Sequence, residues 1–219
     1  MSMLRRLIPA MRIWLTLLVV WALYLAAGGS LSYENTPWLL TVGCWMCLDL
    51  CWTLAPLGAQ PAVGVSMSRL GALVLAIIPH ALYCLPLTGV PILGQRLIPR
   101  LSALEMVGVV MCVVGVGLAM WARCVIAKNW SGTITIPSQH TLVQQGPYAI
   151  VRHPIYLGLL LSQAGMILAL GELRGLVFVL GIERLLRKTI EEDIVLRTAY
   201  PVEYGPYERR VKRLVPWIW

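Results

Sequence analysis

Charge is what this sequence has least of. Of its 219 residues 13% are charged and 58% are hydrophobic. A soluble domain carries about 25% charged residues, so water is a poor solvent for most of this chain and a bilayer is expected instead. Cysteines in polar loops are also lacking. Of Cys44, Cys47, Cys51, Cys84, Cys112 and Cys124, all but Cys124 lie inside apolar runs. That excludes a secreted disulfide framework, whose cysteines sit in polar loops. No second Cys-x-x-Cys accompanies Cys44 and Cys47, which leaves little signal for zinc, and no metal site is expected. The i, i+3, i+7 stripe of Cys44, Cys47 and Cys51 reads as small, apolar helix-packing residues, the alternative being a metal site shared with His80 and Cys84. Tandem repeats and low-complexity segments are absent as well.

What remains is a series of apolar segments, read at about 13–27, 37–57, 70–93, 106–122, 155–170 and 173–186. A span needs about 20 apolar residues to cross roughly 30 Å of hydrocarbon. The run from Ile13 to Tyr33 carries no charge, which is long for a signal-peptide core and reads as a first span. The sixth segment is short, but Leu186, Ile190 and Ile194 continue at four-residue spacing. One long helix is expected there, leaving lipid for water and stopped by Pro201. It pairs with the fifth segment as a hairpin turning at "LGELRG". The expected fold is all-α: a polytopic membrane bundle of about five to six spans. Residues 1–122 hold the first transmembrane helices and 123–219 hold the functional region.

The net charge of +8 follows the spans and does not suggest nucleic acid. With six spans, every Lys and Arg except Arg96, Arg100 and Arg174 falls on one side. The positive-inside rule makes that side, and both termini, cytoplasmic. The segments Arg123–His153 and Glu183–Trp219 then share the cytosolic face and hold most of the polar chemistry.

Four features stand out. Asp49 and His80 are ionisable groups within apolar spans, functional candidates that can equally pair with each other. On the last long helix, Glu183, Arg187 and Glu191 form one i, i+4 stripe, and Arg184, Lys188 and Glu192 form the next. On an exposed helix these are surface pairs worth a few tenths of a kcal/mol each. The run Glu191-Glu192-Asp193, however, needs cations close by, from the protein or from a ligand. In "QGPYAIVRHPIYLGLLL", Gly146-Pro147 is turn chemistry, and Pro154 suits the first position of a helix, with His153 just outside. Tyr148 and Tyr156 add aromatic faces at a helix start whose free N–H groups face the cytosol. This suits a nucleotide-like ligand or an interfacial anchor. Finally, "YERRVKRLVPWIW" suits the headgroup region of an anionic leaflet.

The text "HTLVQQGPYAIVRHPIYLG", then "RKTIEED" and "EYGPYERRVKRLVP", resembles in order and spacing the isoprenylcysteine carboxyl methyltransferase family of integral-membrane enzymes. Looser relatives methylate phosphatidylethanolamine or thiols. The resemblance covers roughly Lys128 to Pro216. It implies S-adenosylmethionine as cofactor, held by His140, Thr141, Leu142, Val143, Tyr148, His153, Pro154, Ile155, Tyr156 and Glu192. It implies catalytic candidates at Lys188, Arg187 and His153. Glu192 is assigned to the cofactor's ammonium, and the two tyrosines to its adenine, ribose or methionine. The family's substrate-carboxylate Arg falls on Lys188, which keeps the charge without the planar fork. The family's Phe-Gly before the last Glu-Tyr is replaced by Tyr200-Pro201-Val202. An amine acceptor would need a base, from His153 or a glutamate. The implied partners are a lipophilic or prenylated acceptor and membrane lipids. Three rivals stay open: an amine or thiol methyltransferase, an NADPH-dependent membrane reductase, and a non-catalytic membrane scaffold.

Overall fold

A computed structural model describes residues 36–54, 92, 94–129 and 142–219. The expected spans at 13–27 and, apart from Ile92, at 70–93, with His80 and Cys84, lie outside the described residues. Five α-helices are numbered here in chain order: α1 Thr36–Leu54, α2 Ser102–Asn129, α3 Pro154–Leu170, α4 Leu176–Ala199 and α5 Tyr204–Arg210. Strands are absent among the described residues, where the extended contacts are two isolated bridges, Arg96 with Glu172 and Val151 with Lys212. The all-α expectation holds.

Within α2, the 25-residue stretch Ser102–Ile126 contains an 18-residue window with a mean hydropathy of 2.2. At 1.5 Å per residue the stretch is about 37 Å, enough to cross a bilayer. Among the described residues it is the one helix long and apolar enough by that measure, and α3 is a shorter apolar helix. Met106, Val107, Val110, Val113 and Val114 are all exposed along α2, an outward face that water would not favour.

The chain divides into two compact units, and the divisions fall within helices: after Val113 in α2, after Ser162 in α3 and after Val179 in α4. Neither unit is a continuous stretch of sequence. In the first, α2 and α3 run antiparallel. A Cβ placed on Gly108 would lie 2.6 Å from both the Ala169 nitrogen and the Gly165 oxygen, and one on Gly165 would lie 2.5 Å from the Cys112 nitrogen. In the second unit the same relation recurs. A Cβ on Gly115 would lie 2.5 Å from the Ser162 nitrogen, and one on Gly158 would lie 2.7 Å from the Ala119 nitrogen. The close contacts therefore join residues 108 and 112 to 169 and 165 in the first unit, and residues 115 and 119 to 162 and 158 in the second. Both ladders follow the 4-3-4 spacing of one helix face. Small residues let backbones touch, and dispersion replaces the hydrophobic effect where lipid is the solvent.

The hairpin expected at "LGELRG" is present. Gly171 ends α3 at φ 64, and its carbonyl accepts the N–H of Leu97 at 2.8 Å and of Ile98 at 3.1 Å. Arg96 caps this end of the first unit by donating to Glu105 Oε1 at 2.8 Å. Helix α4 runs to Ala199, two residues short of Pro201. Helix α3 begins at Pro154 with His153 outside it, and the His153 carbonyl accepts the first helical N–H, from Leu157, at 3.0 Å. The short α5 gives the second unit its own apolar cluster, Tyr204, Tyr207 and Val211, packed by Leu142, Leu196 and Tyr200.

Candidate active site

The site begins with the turn before α3. Gly146, at φ 62, starts a single 3-10 turn through Ala149 with Pro147 in its first positions. The chain then runs extended beside the tail. Val151 bridges Lys212 in parallel, Arg152 N–H donates to the Lys212 carbonyl at 2.8 Å, and His153 N–H donates to the Arg213 carbonyl at 3.0 Å. These bonds fix where the Arg152 and His153 side chains leave the backbone, directly opposite α4.

There they meet Asp193. Its side chain is 1% exposed and accepts four donors. Arg152 Nη2 reaches Oδ2 at 2.9 Å, Arg213 Nε reaches Oδ2 at 2.8 Å, His153 Nε2 meets Oδ1 at 2.7 Å, and the Tyr204 hydroxyl donates to Oδ1. Burial weighs most on Asp193 and works against its charge. The donors together outweigh it and hold the carboxyl well below the usual carboxylate range. Arg152 also donates from Nη1 to the carbonyls of Glu208 and Val211, both at 3.0 Å.

His153 carries the charge balance on to Glu192. Its Nδ1 lies 3.6 Å from Glu192 Oε2, an ion-pair distance beyond hydrogen-bond range. Burial, the largest influence, disfavours the imidazolium, yet the carboxylates on either side of the ring raise its pKa above the ordinary value. Tyr156, in the first turn of α3, donates to Glu192 Oε1 at 2.5 Å, and its ring centroid is 5.8 Å from that of His153. Burial pulls the Glu192 pKa upward, while His153, Tyr156 and Lys188 pull it down and prevail. Lys188 Nζ stands 5.8 Å from the Tyr156 ring centroid, a cation–π distance.

Tyr148 completes this wall. It is 7% exposed, and its hydroxyl is buried with no hydrogen-bond partner among the described residues. Burial pushes the phenol's pKa upward, with Tyr207 and Glu192 adding to the effect. An orphaned buried hydroxyl is costly and marks a place where a ligand can donate or accept. The loop before Tyr148 is held by one face of the tail at residues 203, 207 and 210. Glu203 Oε2 accepts the Leu142 N–H at 3.1 Å, Tyr207 donates to the Tyr148 carbonyl at 2.8 Å, and Arg210 donates to Gln144 Oε1 at 2.8 Å.

Of the residues singled out in the sequence, Tyr148, His153, Tyr156, Lys188 and Glu192 gather in this unit. Pro154 and Ile155 form the first turn of α3, and Leu142 and Val143 belong to the loop stapled by Glu203. Arg187 is placed elsewhere on α4: it pairs with Glu183 and is 75% exposed. Neighbours on a helix point about 100° apart, so Lys188 and Arg187 do not share a face. His140 and Thr141 lie outside the described residues. No group of three or more His, Cys, Asp or Glu side chains among the described residues is arranged to hold a metal. The residues missed are Asp193, Arg152 and Arg213. Asp193 was visible only as the third acid of a run, and its need for cations was the available signal.

Comparisons with known proteins bear on the same stretch. Residues 107–197 match the model of the isoprenylcysteine carboxyl methyltransferase family. A protein-S-isoprenylcysteine O-methyltransferase of Mus musculus is 31% identical over 123 residues, 54% of this chain and 44% of the relative. A probable protein-S-isoprenylcysteine O-methyltransferase of Oryza sativa subsp. indica is 30% identical over 116 residues, 51% of this chain and 61% of the relative. The cobalt-zinc-cadmium resistance protein CzcN of Cupriavidus metallidurans is 31% identical over 128 residues, 56% of this chain and 52% of the relative. The matches thus span about half the length of these relatives. The family match thus runs from within α2 to near the end of α4, the stretch that holds "HTLVQQGPYAIVRHPIYLG" and "RKTIEED".

Proposed function

We propose that this protein is an integral-membrane, multi-pass methyltransferase that uses S-adenosylmethionine to methylate a lipophilic acceptor, with both termini in the cytoplasm. The single observation that carries the reading is the meeting of Tyr156, His153 and the Glu192 carboxylate beside the unpartnered hydroxyl of Tyr148, within the stretch that matches the family. The residues present fit the cofactor: a carboxylate for an ammonium, aromatic rings for a base, and a buried hydroxyl in want of a partner.

When bound, S-adenosylmethionine supplies an electrophilic methyl group. The chain's own part is to bind, orient and exclude water. Glu192 stays ionised and receives the ammonium, while Tyr156 fixes its carboxylate from the other side. Tyr148 spends its free hydroxyl on the ligand. Such positioning, in a site shielded from water, accounts for most of the acceleration that an in-line displacement requires. His153 is better suited to holding a positive charge than to acting as a base, because both ring nitrogens face carboxylates and its pKa is raised. Lys188 is the cation available to an acceptor carboxylate of the isoprenylcysteine kind. Its lack of a bidentate fork is the observation that favours the second reading, a thiol or amine acceptor.

The test is calorimetry on the purified protein with S-adenosylhomocysteine. Wild type binds, and Glu192→Gln weakens binding at least tenfold, because the ammonium loses its counter-charge. Absence of binding at millimolar ligand would sink the cofactor reading. Labelled methyl donor added with a membrane lipid extract then identifies the acceptor.

A further inference from the structure

A cavity of about 320 Å³ opens in the second unit, lined by Ala149, Ile150, Arg210, Lys212 and Trp217. Two of these side chains are cations and none is an acid. Arg210 donates to the neutral Gln144 amide, so its charge is uncompensated there. Lys212 gives its backbone to the bridge with Val151, and its exposed ammonium has no partner among the described residues. Arg209, next along α5, is exposed as well. The remaining lining is apolar and open: Ile150 is 51% exposed and Trp217 is 90% exposed, with Ile218 beside it at 78%.

The position of this cavity limits what can fill it. Ala149 and Ile150 close the turn that leads, within four residues, into the apolar helix α3. An occupant must present an anion to Arg210 and Lys212 and an apolar portion to Ile150 and Trp217. Free phosphate would satisfy the cations and leave the isoleucine and the indole in water. A nucleic acid would want a longer basic track than the two cations that line the cavity and Arg209 beside them. We infer that this is a binding site for the phosphate headgroup of an anionic phospholipid in the adjacent leaflet, with Ile150 and Trp217 against the upper acyl region. This rests on the membrane reading proposed above, but not on the cofactor. Tryptophan at the headgroup level and cations drawn to an anionic surface are the physical basis.

Arg210, which lines the cavity, also holds the 142–148 loop through Gln144.

The full chain is reconstituted in nanodiscs of phosphatidylcholine with a minor fraction of phosphatidylglycerol, and the lipids retained on gentle release are identified by native mass spectrometry. Wild type retains phosphatidylglycerol selectively. Lys212→Gln, which leaves the Arg210–Gln144 bond intact, lowers that selectivity about fivefold, the share of one surface charge. Lys212→Arg restores it. Equal selectivity in wild type and Lys212→Gln overturns the proposal while leaving the membrane reading in place. Displacement of the lipid by millimolar inorganic phosphate assigns the site to free phosphate and also overturns it. Release of the protein from membranes by alkaline carbonate overturns the membrane reading, and the lipid site with it.

Discussion

The seam between α2 and α3 and the charged cluster around Asp193 solve the same problem by opposite means. Both bring distant segments into close contact away from water. The seam does so by subtraction: Gly108, Gly115, Gly158 and Gly165 carry no side chain, and backbone lies on backbone. The cluster does so by addition, since Arg152, His153, Tyr204 and Arg213 all converge on one carboxylate. A seam of this kind tolerates no added volume and is indifferent to charge. The cluster depends on a count of charges and has some latitude in shape.

That contrast can be broken most forcefully in the seam. Gly108→Val places branched carbons where even a Cβ would be 2.6 Å from backbone atoms. The helices cannot yield as a flexible side chain would, so the expected loss exceeds the usual 1–3 kcal/mol of overpacking. It is read as failure to give a monodisperse, heat-cooperative protein in detergent. Asp193→Ala is the next largest effect. It strands two buried or half-buried guanidiniums and an imidazolium, a loss of about 3–5 kcal/mol in thermal unfolding. Asp193→Asn, of the same shape without the charge, should recover little of it. Substantial recovery would mean that shape, rather than charge, governs the cluster.

Acidity separates the two regions more gently. The folded pKa of Asp193 lies below its ordinary 3.8, so its contribution is present above that value and is lost as pH falls through the folded pKa. The folded pKa of His153 lies above its ordinary 6.5, so its contribution is complete below 6.5 and is lost as pH rises through the folded pKa. Thermal midpoints should therefore be highest between about pH 4 and pH 6.5 and fall on either side, with a flatter profile in Asp193→Asn. The smallest effect is expected at Gly117, two residues from the seam. A Cβ there meets nothing within 4 Å, so Gly117→Ala is expected to leave the midpoint unchanged or raise it by the equivalent of roughly 0.5–1 kcal/mol, from helix propensity alone.

Much of the backbone around the candidate site was legible in the sequence because local rules governed it. Pro154 at the head of a helix, His153 just outside, the turn at Gly171 and the stop before Pro201 follow from backbone geometry that a few residues determine. Tyr156 and Glu192 were paired only through family resemblance, since nothing local links positions 36 apart. Asp193 was overlooked because three successive acids look alike until the tail docks and decides which one is buried. The seam was available in principle, with both ladders on a 4-3-4 pattern. Scattered small residues attract less notice than charged ones, and an apolar helix with little moment shows no preferred face. The short α5 has only the spacing of Glu203, Tyr207 and Arg210 to announce it, and that spacing acquires meaning once the 142–148 loop lies against it.

The staple between that loop and the tail also sets an order of events. Leu142 meets Glu203 across 61 residues, Tyr148 meets Tyr207 across 59, and Arg152 meets Asp193 across 41. The α3–α4 hairpin closes over a turn of a few residues. Loop-closure entropy makes the short turn quick and the long joins slow. During synthesis the hairpin can settle while the cluster around Asp193 is still in pieces, and that cluster is complete only when Arg213 has emerged to meet Asp193.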